Sequence, residues 1–138
     1  MAGTFELRVV SPEGNVLKED AEFVVLPGEA GELGILPDHA PLIAGLKIGV
    51  LRYTKDGIIK RVAISGGFVE VADNKVTVLA DTAEPGEMID LARATAALER
   101  AEQRLSQRTA EMDVRRAEFA LRKALARISA AEESGKRR

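Results

Sequence analysis

The chain has 138 residues, no cysteine and a single histidine, His39, and its formal net charge is −2. The length predicts one domain, or one small domain with an extension. Disulfides and thiolate chemistry are excluded, and one imidazole leaves no usual ligand set for a transition metal. No apolar run approaches the ~20 residues that span a bilayer, and the first residues lack an export-signal pattern. We therefore expect a soluble, intracellular protein.

Charge is distributed unevenly along the chain. Residues 1–86 carry 8 basic and 13 acidic side chains, whereas residues 87–138 carry 12 basic and 9 acidic ones. From Arg115 to Arg138 the count is 8 basic to 3 acidic. This asymmetry predicts an acidic partner for the C-terminal tail.

The first 84 residues have the pattern of short strands separated by turns. TFELRVV alternates apolar and polar side chains, and AEFVVL, KIGVLRY, IIKRVAIS, FVEV and KVTVLA continue the pattern. Turn residues follow several of them, at Pro12, Gly57, Gly66-Gly67 and Asp73-Asn74. Parallel neighbours would need long crossover connections, and none fits between these turns. The pattern predicts an antiparallel β-sandwich or a flattened barrel over residues 1–86.

The composition changes at Pro85-Gly86, after which neither glycine nor proline occurs until Gly135. Apolar residues then recur at spacings of three and four along two segments, which predicts one apolar seam on each of two helices. A short link makes them an antiparallel hairpin over residues 87–138. Thr109 and Asp113 are both candidates to cap the second helix. The predicted seam residues are Leu91, Ala94, Leu98, Ala101 and Leu105, then Val114, Ala117, Leu121, Ala124, Ile128 and Ala131.

The predicted seam buries little apolar surface, because many of its positions are alanine. A buried methylene contributes only ~0.8 kcal/mol, so replacing leucine by alanine gives up much of the stabilisation. A hairpin with such a seam is marginal alone. We expect it either to dock on the β-domain or to change shape.

The only histidine lies in GELGILPDHAPLI, residues 31–43, a loop rich in glycine and proline. His39 follows Asp38, but adjacent residues of an extended chain seldom face one another, and no Gly-x-Ser-x-Gly elbow accompanies them. We therefore expect no catalytic residues. The glycines of GEAGELG, residues 28–34, lack the Lys-Ser/Thr ending of a phosphate-binding loop and predict turns instead.

Cationic side chains follow the rim of the predicted hairpin on both helices. Because guanidinium groups match phosphate oxygens, two such rims could hold a polyphosphate, although charge runs on helices are more commonly solvated surfaces. A basic hairpin that binds nucleic acid is an alternative, but its one aromatic residue, Phe119, gives no stacking platform for bases. The rim residues are Arg93, Arg100 and Arg104, then Arg116, Lys123 and Arg127.

Several motifs occur in an order that resembles one known family. GELGILPDHAPL, SGGFVEV and VTVLADTAE are followed by IDLARA, and the match covers residues 5–128. The chain resembles the epsilon subunit of bacterial F-type ATP synthase, of the bacillus type. The resemblance implies a non-catalytic rotor subunit whose β-sandwich binds the gamma subunit and the c-ring. It would lie peripherally at the cytoplasmic face of the plasma membrane, without inserting, and would bind no nucleic acid. Glu32 and His39 would be docking residues.

The resemblance also implies a switch in the C-terminal helices. In that family they alternate between a folded hairpin and an extended form, which reaches the catalytic head of alpha and beta subunits and inhibits ATP hydrolysis. The basic second helix then meets an acidic segment of the beta subunits. The residues placed at this contact are Arg115, Arg116, Arg122, Lys123 and Arg127.

Some bacillus-type relatives bind ATP in the folded hairpin without hydrolysing it. Their motif Ile/Leu-Asp-x-x-Arg-Ala matches IDLARA, residues 89–94. Position 123 is arginine in that pattern, and lysine keeps the charge but loses the bidentate fork. Magnesium could accompany the nucleotide, and a hairpin insensitive to ATP is the alternative. The resemblance places Glu84, Ile89, Asp90, Arg93 and Ala94 around the adenine and ribose, and Arg100, Lys123 and Arg127 at the phosphates.

Overall fold

The computed structural model describes residues 3–107 and 114–133. Strands come first, then a 3₁₀ turn at Gly86–Met88, then helices α1 (Leu91–Ser106) and α2 (Val114–Glu132). Both candidate caps of the second helix, Thr109 and Asp113, lie outside the described residues. The strands are β1 (Phe5–Ser11), β2 (Gly14–Ala21), β3 (Phe23–Gly28), β4 (Gly31–Ile35), β5 (Leu42–Lys55), β6 (Ile58–Ala72), β7 (Lys75–Ala80) and β8 (Ala83–Pro85).

The strands form a β-sandwich in which a single hydrogen-bonded path runs in the order β2-β1-β7-β6-β5-β3-β4, with β8 paired to β6. The β1–β7 pair is parallel, and the other pairings of the described strands are antiparallel. The expectation of a fully antiparallel arrangement is therefore wrong at this pair. The crossover that parallel strands need is supplied by the five strands that separate β1 from β7 in the chain.

The two glycine-rich segments compare differently with the sequence prediction. The turn predicted in GEAGELG is present at Glu29-Ala30, and Gly31 follows it with a φ of 134° at the start of β4, which pairs with β3. Gly66 and Gly67 lie inside β6 at φ of 102° and 123°, so the predicted turn between two strands is wrong. A Cβ on Gly67 would lie 2.0 Å from the Leu79 carbonyl oxygen. Glycine therefore lets β6 adopt a positive φ close to the β7 backbone and still pair with both of its neighbours.

The sandwich has a core of its own, formed by alternate residues of the strands. Phe5, Leu7 and Val9 of β1 are all buried, as the alternation in TFELRVV predicts. β2 and β8 are not predicted by the sequence pattern; β2 is an edge strand whose residues are mostly exposed or half-buried. The fully buried larger side chains are Leu7, Leu26, Ile35, Leu51, Ile64, Val9, Val24, Val62, Val69, Val71, Val76 and Val78.

The hairpin contacts the sandwich mainly through α2, which packs on β5 and β6, and α1 packs on α2. Ala117 and Ala124 are buried on the predicted seam. Ala126 and Ala130 are also buried and form an apolar cluster with Ala63 of β6, a second face that the seam pattern does not predict. The predicted seam residue Leu91 is 42% exposed, because α1 begins at this residue. Among the described residues, no helix is long and apolar enough to cross a membrane.

We expect residues 1–86 to fold without the hairpin. The main core draws all of its buried residues from positions 5–80, so removing the helices uncovers mainly Ala63 and its half-buried neighbours Ile48 and Val50. Circular dichroism of the truncated chain should show a β spectrum and a cooperative thermal transition. A spectrum of unfolded chain would show that the sandwich depends on the helices.

Tyr53 is the only tyrosine of the chain and is 4% exposed. Burial, with smaller effects of the Glu19 and Glu87 carboxylates, raises its pKa from 10.0 to about 12. The folded state thus holds the phenolic proton more tightly, so the stability from this group is present below pH 10.0 and lost as the pH rises through about 12. We expect ultraviolet titration to give a phenolate midpoint well above that of the denatured chain. Equal midpoints would contradict the burial.

Candidate functional site

A cavity of about 360 Å³ lies where α2 meets β6 and β8. Glu84, Lys123 and Arg127, three residues that the family resemblance assigns to ATP, line it together. Arg127 faces the cavity because the preceding residue, Ala126, packs in an apolar cluster with Ala63 of β6. This packing directs the same side of α2 toward the sandwich. The remaining lining residues are Glu13, Ala63, Ile64, Thr82, Ala83 and Ala126.

Glu84 and Arg127 form an ion pair at this cavity. Arg127 donates from Nε to Glu84 Oε1 at 2.8 Å and from Nη2 to Glu84 Oε2 at 3.4 Å. The two side chains are 37% and 23% exposed, so the pair is only partly shielded from solvent. Because the guanidinium already has a carboxylate partner, an anionic ligand in the cavity must either compete with Glu84 or share Arg127 with it.

The IDLARA motif forms the start of α1. Asp90 is the N-cap, and its Oδ1 accepts a hydrogen bond from the Arg93 backbone N–H at 3.1 Å. Ile89 and Ala94 are buried in the apolar cluster that also contains Ala63. Asp90 therefore satisfies a helix donor that would otherwise lack a partner, while its two apolar neighbours fix α1 against the rest of the protein.

Arg93 and Arg100, also assigned to ATP by the resemblance, are exposed on α1 and do not line the cavity. The structure therefore brings Glu84, Lys123 and Arg127 together and leaves these two arginines on the other helix. Of the residues assigned to the beta-subunit contact, Lys123 and Arg127 are half-buried at the cavity. The others are exposed on α2, namely Arg115, Arg116 and Arg122.

The end of α2 makes contacts that the sequence pattern does not predict. Arg61 of β6 donates from Nη1 to the Glu133 carbonyl oxygen at 2.6 Å, and its Nη2 lies 3.8 Å from Glu133 Oε2. A Cβ on Gly86 would lie only 2.4 Å from the Ala130 carbonyl oxygen. In the sequence, this close approach is indicated only by the glycine itself, because Gly86 is the last glycine before Gly135.

The predicted docking residues occupy two different settings. Glu32 lies on β4, and its Oε2 accepts from Arg52 Nη1 at 3.0 Å. His39 Nδ1 is 2.7 Å from the Ala40 carbonyl oxygen, and since a carbonyl only accepts, Nδ1 carries the proton. Asp38 adopts a positive φ of 62° in the same loop. The imidazole thus contacts its own loop rather than a neighbouring carboxylate.

The sandwich has an exposed apolar face that the sequence pattern does not predict. Phe68 of β6 and Leu79 of β7 are cross-strand partners and are 47% and 40% exposed. Val10 pairs with Leu79 from β1, and a second cavity of about 330 Å³ runs beside these residues. Exposed apolar side chains grouped in this way are typical of a surface that another protein covers.

We expect Gly86→Ala to loosen the hairpin while leaving the sandwich intact. The new methyl group would meet the Ala130 backbone, and overpacking of this kind costs about 1–3 kcal/mol, or about fivefold or more in the opening equilibrium. Limited trypsin digestion should cut α2 faster by that factor. Gly3→Ala is the control, because a methyl group there meets no atom within 4 Å. Equal α2 cleavage in both variants would contradict the close approach.

Comparisons with known proteins agree with the architecture and the motifs. The family model "ATP synthase, Delta/Epsilon chain, beta-sandwich domain" matches residues 4–86, and "ATP synthase, Delta/Epsilon chain, long alpha-helix domain" matches residues 87–132. An ATP synthase epsilon chain of Desulfitobacterium hafniense is 72% identical over 131 residues, covering 95% of this chain and 98% of its own. One from Bacillus licheniformis is 49% identical over 128 residues, covering 93% and 98%.

A solved structure has the same fold. A chain in the mitochondrial ATP synthase of Euglena gracilis, from an assembly of OSCP, F1 and c-ring, superposes with a TM-score of 0.79 at 27% identity. The match covers 96% of this chain and 83% of that one. The family resemblance seen in the sequence motifs is thereby confirmed, and this chain belongs to the delta/epsilon chain family of ATP synthase.

Proposed function

We propose that this protein is a non-catalytic rotor subunit of an F-type ATP synthase, bound peripherally at the cytoplasmic face of the bacterial plasma membrane. Its sandwich would join the gamma subunit to the c-ring. The exposed apolar pair Phe68 and Leu79 supports a protein partner for the sandwich, and the assembly around the Euglena relative contains a c-ring. Glu32 on β4 and His39 in the loop that follows β4 remain predicted docking residues.

We further propose that the hairpin binds ATP as a regulatory ligand at the seam with the sandwich. The observation that carries this proposal is the pairing of two cations, Lys123 and Arg127, on one cavity. Its volume, about 360 Å³, is at the low end of the ~300–1,000 Å³ usual for ligand pockets, so it would hold part of a nucleotide. A nucleotide that also uses Arg93 or Arg100 must span both helices and would tie them together.

Glu84 would set how strongly phosphate competes for Arg127. ATP brings several negative charges, and Arg127 can present two N–H groups to a phosphate as it does to the Glu84 carboxylate. Lys123 adds a single point charge without a fork. Magnesium bound with the nucleotide would neutralise part of the phosphate charge and weaken this competition.

Inhibition of ATP hydrolysis would follow from the opposite state of the hairpin. When α2 is docked, Lys123 and Arg127 face the cavity, whereas release of α2 would free them for an acidic segment of the beta subunits. A ligand that binds only the docked form must oppose the extended form by linkage. ATP would thus relieve inhibition without being hydrolysed by this subunit.

We expect Arg127→Ala to weaken ATP binding by the isolated protein about tenfold to a hundredfold. One charge-assisted contact contributes roughly 1.5–3 kcal/mol, and calorimetry measures the difference without a beta subunit present. Arg122→Ala is the matched control, because Arg122 is exposed on the same helix and its loss changes the net charge equally. His39→Ala should also leave the isotherm unchanged.

Two results would contradict this assignment. Identical isotherms for wild type and Arg127→Ala would remove Arg127 from the ATP site. No heat with ATP from the wild type would favour a rotor subunit with an ATP-insensitive hairpin. A parallel titration with DNA at two salt concentrations tests the nucleic-acid alternative, since such binding weakens steeply as salt rises.

A further inference from the structure

We infer that Arg61 is a latch that holds the C-terminal end of α2 on the sandwich and sets how often the hairpin leaves it. The Arg61 latch consists of the two contacts of its guanidinium with Glu133, at 2.6 Å to the carbonyl oxygen and 3.8 Å to the carboxylate. It joins β6 to a residue 72 positions later in the chain, across the boundary between sandwich and hairpin.

The latch places a cation at the C-terminal end of α2, because Glu133 directly follows the last residue of the helix. A cation at this end meets the negative pole of the helix dipole. The side chain of Arg61 is only 12% exposed, so solvent screens this contact less than it screens an ordinary surface pair. The shorter contact, to the backbone carbonyl, is therefore the main one.

The position of the latch makes it separable from the nucleotide cavity. Arg61 does not line that cavity, and Glu133 lies beyond Arg127 toward the end of the chain. Between Arg127 and Glu133, the backbone carbonyl of Ala130 lies close against Gly86. Release of α2 from the sandwich must break the latch and separate these backbones, whether or not a ligand is bound.

Arg61 is thus a positioning residue for the switch and needs no contact with nucleotide. The inference rests on the proposed function only in that undocking has a regulatory consequence. Without ligand, the latch raises the fraction of docked hairpin and so lowers the fraction that can extend. The latch thereby determines the docked fraction of the hairpin without ATP, and ATP binding would raise that fraction further.

A thiol-accessibility measurement tests the latch on the full chain. Because the protein has no cysteine, Ala130→Cys places one thiol in the docked interface, away from the cavity, where it reacts with a soluble thiol reagent chiefly after undocking. Val78→Cys, in a separate protein, reports opening of the sandwich core. Both rates are measured without nucleotide, so their outcome does not depend on whether ATP binds.

Arg61→Gln should speed reaction of the Ala130→Cys thiol about tenfold to a hundredfold and leave the Val78→Cys thiol unchanged. Arg52→Gln is the matched control, since Arg52 is the cross-strand partner of Arg61 and forms its ion pair with Glu32 of β4. Arg61→Lys should give an intermediate rate. Equal rates for Arg61→Gln and Arg52→Gln would overturn the latch, as would equal acceleration at both thiols. Neither result would bear on the ATP isotherm of the Arg127→Ala variant.

Discussion

The contact between α2 and the sandwich is the constraint on which the proposed regulation depends. Alanine methyl groups form its centre, and small side chains allow backbones to approach as closely as Ala130 and Gly86 do. They also bury little surface, at ~0.8 kcal/mol for each methylene. Polar contacts flank this centre, from Arg127 to Glu84 on one side and from Arg61 to Glu133 on the other. The close backbone approach makes such an interface specific in register, and the small buried surface agrees with the reversible docking that the proposed switch requires.

The sequence contains the periodicity of each element but little about how the elements meet. Alternation in TFELRVV predicts the buried face of β1, and spacings of three and four predict the seam of the hairpin. The parallel β1–β7 pair and the close approach of Gly67 to Leu79 are contacts between residues far apart in the chain, so no local pattern predicts them. The face of α2 that carries Ala126 and Ala130 is missed for the same reason, because it becomes apolar surface only opposite β6.

For the candidate site, too, the sequence indicates individual residues but not how they come together. The family resemblance assigns Glu84, Lys123 and Arg127 to one site from the sequence alone, and the fold brings these three together. Their convergence depends on the rotation of α2 about its axis, which the sandwich determines. Asp90, assigned to ligand by the resemblance, has a structural task as the N-cap of α1. Arg61 carries no sequence signal, since one arginine in a strand resembles any solvated edge residue.

The proposed regulation requires nucleotide binding and docking of α2 to form one equilibrium. A single thiol introduced by Ala130→Cys tests it most directly, because Ala130 is fully buried in the docked interface and does not line the cavity. Its reaction rate reports undocking, and ligand that binds only the docked form must lower that rate by mass action. At ATP about a hundred times its dissociation constant, measured by calorimetry on the same variant, labelling should be about a hundredfold slower. Labelling that is unchanged or faster at saturating ATP would contradict it.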